Sequence, residues 1–318
     1  MSELSPLVSV YIPSYKAADT LEKAVDSALS QMENLEVVIV DDCSPDDTFA
    51  VAKKLAAKDA RVRVFQLEKN SGVSTARNFA MQQSCGKWLA ALDGDDWFAE
   101  GRLAKLIAAA EENGAEMAAD NQFFFDIKAG QVAGTAFPDN GKISTIDLGE
   151  FLAASNATKS FDYGMLKPVI RADFIRKNKL EYYPPARMGQ DYYFLLEFFA
   201  AGGKAAITDT PLYYYVQPFG SISKQPQKDG RKHYNHELQK TINQHFLELF
   251  SSKFSAAQLA HLHRRGREID ALISFYNLRE TLKKKDLKTA FCAACKANFE
   301  FWKFITQRIL QRLRKIFG

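Results

Sequence analysis

Apolar, β-branched runs at residues 7–12, 35–40 and 62–65 alternate with segments whose apolar residues recur at helical spacing. Leu21, Ala24, Val25, Ala28 and Leu29 mark the first such segment, and Ala50, Val51 and Leu55 the second. Such short runs read as strands, that at 35–40 as a buried one. Strand and helix in succession with short links leave few ways to bury every apolar face. The favoured one is an α/β fold, a mixed, mostly parallel sheet flanked by helices. Residues 72–83 continue the pattern as a helix carrying Arg77 and Asn78, residues 88–92 as a strand, and residues 102–113 as a helix ended by Gly114. Pro13 is expected to stop the first strand, and Ser44 or Asp46 to cap the helix after the second.

Sheets of this kind bind ligands outside the carboxyl ends of their strands. Three polar segments follow strand ends here: Pro13-Ser-Tyr15, Asp41-Asp-Cys-Ser44 and Asp93-Gly-Asp95-Asp96. Carboxylates as close as Asp93, Asp95 and Asp96 repel one another unless a cation sits among them. Mg2+ or Mn2+ suits that place, because both prefer oxygen ligands and keep positions open for phosphate. Taken alone, the acids also read as a solvated turn, but three segments meeting at one crevice favour metal and phosphate. No Gly-rich dinucleotide fingerprint or P-loop follows the first strand, which disfavours dehydrogenases and Walker-type ATPases.

The rest of the chain reads as a strand through Met117-Ala-Ala-Asp120-Asn121 and Phe123-Phe-Phe125, a hairpin at 129–130 and a helix from Asp147 to Ala154. Residues 166–171 lead into a short helix, an amphipathic helix follows Gly189-Gln-Asp191, and residues 204–208 and 212–216 form two strands. By itself Asp191 reads as a helix cap, Asp120 as a strand-end turn, and Tyr213-Tyr-Tyr215 as packed strand. The polar loop at 218–226 marks a boundary between a sheet domain, 1–220, and a helical region, 221–318. Net charge is only +4 over 318 residues, which argues against a nucleic-acid partner. Four cysteines, and a start without a basic and apolar leader, point to the cytoplasm. Cys292 with Cys295, and His261 with His263, read as packing rather than metal sites. In the tail, 299–318, Trp302, Ile305, Ile309, Leu313 and Ile316 share a face, and Lys303, Arg308, Arg312, Arg314 and Lys315 line the rest. That pattern suits peripheral contact with an anionic membrane, or a helix packed on its own domain.

Five ordered segments together resemble a family 2 glycosyltransferase of the GT-A fold: Val8-Ser-Val-Tyr-Ile-Pro-Ser-Tyr15, Val38-Ile-Val-Asp-Asp-Cys-Ser44, Asn70-Ser-Gly-Val-Ser-Thr-Ala-Arg-Asn78, Leu92-Asp-Gly-Asp-Asp-Trp97 and Gly189-Gln-Asp-Tyr-Tyr-Phe194. The resemblance implies transfer of a sugar from a nucleotide-sugar donor, a UDP-sugar first among the candidates, to a saccharide or lipid-linked saccharide acceptor in bacterial surface-polysaccharide assembly. It implies Asp191 as catalytic base, with Pro13, Tyr15, Asp42, Arg77, Asp93 and Gly94 on the donor, Arg77 either contacting the diphosphate or holding the acids in position, and Asp95, Asp93 and Asp96 as the metal motif for Mn2+ or Mg2+. Asp42 would accept the N3–H of the base and Tyr15 would lie near its plane. Cys43 stands where the family often has Gly, and Gln190 where it often has Glu. No Gln-x-x-Arg-Trp segment follows Asp191, which resembles the non-processive members. A nucleotidyltransferase on a similar sheet lacks support, since no Gly-rich basic loop follows the first strand; a non-catalytic sugar-nucleotide-binding protein would not need the acids and Asp191 intact.

Overall fold

The computed structural model describes residues 6–158, 161–186, 189–217, 236–285 and 297–317, with side chains to Leu310. The chain divides into two compact units, Met1–Phe151 with Gly164–His233, and Leu152–Tyr163 with Tyr234–Gly318. The division expected near 220 falls outside the described residues.

The first unit is built on a ten-stranded sheet ordered β3-β2-β1-β4-β9-β6-β10-β5, with β7 against β6 and β8 against β10. β1 (Val8–Ser14), β2 (Leu35–Asp41), β3 (Val62–Gln66) and β4 (Trp88–Ala91) are parallel neighbours. β1 and β2 are buried at every position, as runs without alternation require. α1 (Leu21–Leu29), α2 (Thr48–Lys58), α3 (Val73–Gln83) and α4 (Arg102–Glu112) connect and flank these strands. Of the α1 residues at helical spacing, Leu21, Ala24, Val25 and Ala28 are fully buried and Leu29 partly so. Beyond α4 come β6 (Met117–Asp126), β7 (Gln131–Thr135), β8 (Ile143–Ile146), α5 (Leu148–Ala154), β9 (Val169–Arg171), α6 (Ala172–Asn178), α7 (Gln190–Ala200) and β10 (Ala205–Gln217). The short β5 (Trp97–Phe98) pairs antiparallel with β10.

Three local expectations change. Pro13 does not end β1: pairing with β4 stops at Tyr11, so Pro13 has β2 as its only strand neighbour, a place where a missing N–H is tolerated. Of the two capping candidates Ser44 does not cap α2, its hydroxyl turning back to Asp41, whereas the Asp46 carboxylate accepts the Thr48 N–H at 3.3 Å, although the N-cap position itself belongs to Asp47. The two strands expected at 204–208 and 212–216 are one strand, β10, whose register against β6 shifts around Pro211.

In the second unit, α8 (His236–Phe250), α9 (Ala256–Lys283) and α10 (Phe299–Phe317) are helical as the periodicity predicts. α9 opens on a capping box between Ser255 and Gln258. The buried face of α10 differs from the expected stripe. Phe301 and Phe304 are buried, Phe304 edge-on to Phe275 of α9 at 5.3 Å, while Trp302 and Ile309 are half exposed. The side chains of Arg312, Leu313, Arg314, Lys315 and Ile316, and those of Cys292 and Cys295, lie outside the described residues. No described helix is long and apolar enough to cross a membrane.

Candidate active site

The site forms where β1, β2 and β4 end. β9 is antiparallel to β4, so the start of β9 meets the end of β4, and the Ala91 N–H donates to the Pro168 carbonyl at 3.2 Å. That pairing brings Lys167 beside Asp93. Asp191 arrives from the first turn of α7, which Gly189 opens in a left-handed conformation at φ 68°. α3 fixes the segment leading there. Asn78 pins residue 182 through both polar groups of its amide, at 2.7 and 2.8 Å, and the Ser74 hydroxyl donates to the Ala186 carbonyl at 2.9 Å.

Arg77 and Lys167 hold Asp93 and Asp191 in a closed ring of alternating charge. The Arg77 guanidinium donates to Oδ1 of Asp191 through one terminal nitrogen and to Oδ1 of Asp93, at 2.5 Å, through the other. The Lys167 ammonium lies 2.8 Å from Oδ2 of Asp93 and 2.8 Å from Oδ2 of Asp191. Both cations are almost wholly buried, with side chains 1% and 5% exposed, whereas Asp93 and Asp191 keep 23% and 16%. The solvent-facing members are therefore the carboxylates. Burial alone would raise the Asp93 pKa, but Lys167 and Arg77 reverse this and hold the carboxyl below its ordinary range. Burial works against the charge on Lys167, yet Asp191 and Asp93 raise its pKa above the usual lysine value. The Arg77 guanidinium also lies 4.9 Å above the ring of Tyr182, which stacks on Phe194 at 4.2 Å, so an aromatic floor supports the ring from beneath.

Asp42, just past β2, is buried, and its two oxygens accept the N–H groups of Ser71, at 2.6 Å, and Gly72, at 2.8 Å. It therefore ties the end of β2 to the start of α3. Cys43 adopts φ 54°, in the left-handed region that suits glycine. Tyr15 is half exposed just past β1. Pro13 and Gly94 are brought together: a Cβ on Gly94 would lie 3.5 Å from the Pro13 carbonyl oxygen.

The three carboxylates of the acidic turn do not converge. Asp96 is buried, accepting the Tyr213 hydroxyl at 2.7 Å and the Val216 N–H at 2.9 Å. Burial, with Asp95 and Asp93 nearby, raises its pKa well above the carboxylate range. Asp93 is committed to Arg77 and Lys167. Among the described residues no group of three or more His, Cys, Asp or Glu side chains is arranged to hold a metal. The turn itself closes through the Asp96 N–H to the Asp93 carbonyl at 3.1 Å, leaving Asp95 near its middle and half exposed. These positions do not fit an all-protein metal cage. They fit a cation held by Asp95 together with the phosphates of a ligand, the usual arrangement for Mg2+. Lys167 carries no motif that would flag it, and only the antiparallel pairing of β9 with β4 reveals it.

Residues 9–161 match the model of a family described as Glycosyl transferase family 2. The chain is 30% identical over 313 residues to the succinoglycan biosynthesis protein ExoO of Rhizobium meliloti (strain 1021), covering 98% of this chain and 87% of that protein. Among solved structures, S. aureus TarS 1–349 in complex with UDP-GlcNAc superimposes with a TM-score of 0.59 at 20% identity, over 84% of this chain and 71% of that one. GalNAc-T7 with UDP, GalNAc and Mn2+ gives 0.53 at 16% identity, over 70% of this chain and 46% of that one. The fold is thus that of the GT-A transferases, and the sequence match reaches nearly from end to end: this chain belongs to glycosyl transferase family 2.

Proposed function

We propose that this chain is an inverting, metal-dependent glycosyltransferase that moves one sugar from a UDP-sugar to a hydroxyl of a saccharide acceptor, carried on a lipid, in the assembly of a cell-surface polysaccharide at the cytoplasmic face of the membrane. The observation that carries this reading is the meeting of Asp93 and Asp191, from the end of β4 and the start of α7, on the same two cations. The succinoglycan relative supports the polysaccharide setting. The UDP-GlcNAc and UDP complexes of structural neighbours support a uridine donor, and the Mn2+ in one of them supports a divalent ion.

In this reading Asp42 accepts the N3–H of uracil, Tyr15 covers the base, and Pro13 and Gly94 line the donor. Asp93 lies on the donor side. Asp95 would hold Mn2+ or Mg2+ jointly with the donor diphosphate, and the ion would supply charge stabilisation to the departing UDP. Asp191 takes the proton of the acceptor hydroxyl as that oxygen attacks the anomeric carbon; the carbon–oxygen bond to UDP breaks from the opposite face, and the centre inverts. Asp96 serves the architecture of the turn through Tyr213. Phe299, Trp302, Ile309 and Leu310 leave apolar surface exposed on α10, which supports peripheral contact with the bilayer that carries the acceptor.

The test is a screen of UDP-sugars with saccharide acceptors that follows UDP release, run with Mn2+, with Mg2+ and with EDTA. Acceptor-dependent release that needs the ion supports the reading. UDP binding without release from any donor would leave a binding protein.

A further inference from the structure

No motif marks Lys167, yet its ammonium bridges the two carboxylates on which the proposed reaction depends. We infer that Lys167 is a positioning residue: with Arg77 it locks Asp191 at a fixed place relative to Asp93, so that the base faces a donor bound on the Asp93 side. This inference rests on the reading of Asp191 as the base.

The geometry supports a clamp rather than a chance ion pair. Arg77 takes Oδ1 of each carboxylate, and Lys167 takes Oδ2 of each. One bridge alone would let the carboxylates swing about it; two bridges on different oxygens close a ring and remove that freedom. The lysine backbone is itself anchored. Its carbonyl accepts an N–H from Arg102, whose guanidinium also grips the buried Asp120 at 2.7 and 2.9 Å, and the next residue, Pro168, pairs with the last residue of β4. A buried ammonium is costly unless carboxylates meet it, so its retention at 5% exposure reflects these two partners. Each carboxylate oxygen in the ring still has a lone pair beyond its bridge, so the clamp leaves Asp191 able to accept a proton. Misplacement of a reacting group by about 1 Å costs about 100-fold in rate, which makes such a clamp consequential.

The test is a double-mutant cycle on the full chain with Lys167→Met and Asp191→Asn. UDP release is followed with a panel of UDP-hexoses and saccharide acceptors, UDP affinity is measured by calorimetry, and thermal melting checks the fold. Lys167→Met should lower kcat by about 10- to 100-fold with UDP affinity kept within about threefold. In the Asp191→Asn background the same change should add less than about threefold, because the lysine acts through the base. Lys167→Met with kcat near wild type, or losses that multiply in the double variant, would overturn the inference. Should Lys167→Met not fold, Lys167→Gln, which keeps a donor without the charge, replaces it in the same cycle. If Asp191→Asn itself retains transfer, the base reading fails; if only Lys167→Met retains it, the clamp alone fails.

Discussion

Asp93 and Asp191 share one guanidinium: Arg77 donates to Oδ1 of each from its two terminal nitrogens. The fold makes this possible, since α3 carries Arg77, Asp93 lies two residues past the end of β4, and Asp191 sits in the first turn of α7. A planar fork with two outward nitrogens suits such a bridge, whereas a lysine at 77 would offer a single point charge. Family membership supplies the class of chemistry, and this arrangement supplies the place where it would occur.

Asp42 has two roles that substitution separates. Asp42→Asn keeps one acceptor but sets an N–H against an N–H at Ser71 or Gly72, and should lower the melting temperature modestly. It should also weaken UDP binding about 10- to 100-fold, the range for losing a charge-assisted hydrogen bond. The wild-type chain should prefer UDP to CDP, whose base lacks N3–H. Calorimetry with both nucleotides checks this; unchanged UDP affinity would leave Asp42 only its structural part.

Removing the divalent ion should abolish turnover. If Asp95 shares a cation with the donor as proposed, Asp95→Asn should raise the Mn2+ concentration needed for half-maximal rate by about tenfold or more, since charge dominates such sites. Full activity in EDTA would remove the ion from the reaction.

Gly86 packs directly on β1. A Cβ there would sit 2.5 Å from the Ser9 backbone nitrogen and 2.8 Å from the Val8 carbonyl carbon, and backbone cannot step aside as a side chain does. Gly86→Ala should cost about 1–3 kcal/mol of stability by overpacking. Urea denaturation measures it, and a loss below about half a kcal/mol would show that β1 yields there.

The second unit contains a pH-sensitive carboxyl. Burial raises the Glu268 pKa above its ordinary 4.5, although the Ala157 N–H, Arg264 and Arg265 oppose it. The folded state then binds the proton more tightly than the unfolded one, so this group's contribution is full below about 4.5 and is lost as pH rises through the folded value. Glu268→Gln should flatten the melting-temperature profile above pH 4.5, with the variant gaining relative to wild type as pH rises toward neutral. Parallel profiles would contradict the assignment.

Much of the fold was legible because burial on both faces writes a strand as an unbroken apolar run, as at Val37 to Val40, and because helices such as α1 bury one spaced set of residues. The crevice was legible because parallel strands all end on the same side, so Pro13, Asp42 and Asp93 had to approach one another. What stayed hidden depends on pairing distant in sequence. The partners of Asp96 come from β10, which turns that carboxylate into the sheet. Lys167 enters only because β9 runs against β4. Pro211 broke the run in β10 without ending the strand, since a shift in register absorbs it. On α10 the apolar residues are too many for one face, and contact with Phe275 selected Phe304 over Trp302.

The most direct test of the proposed chemistry is a comparison of wild type with Asp191→Asn under the Mn2+ conditions and the donor–acceptor pair that give UDP release. The variant should bind UDP with wild-type affinity and lose acceptor-dependent release by about 100- to 10,000-fold, the range for a general base. Release at the wild-type rate from a variant that binds UDP normally would contradict the assignment of Asp191 and, with it, the meaning given to its meeting with Asp93.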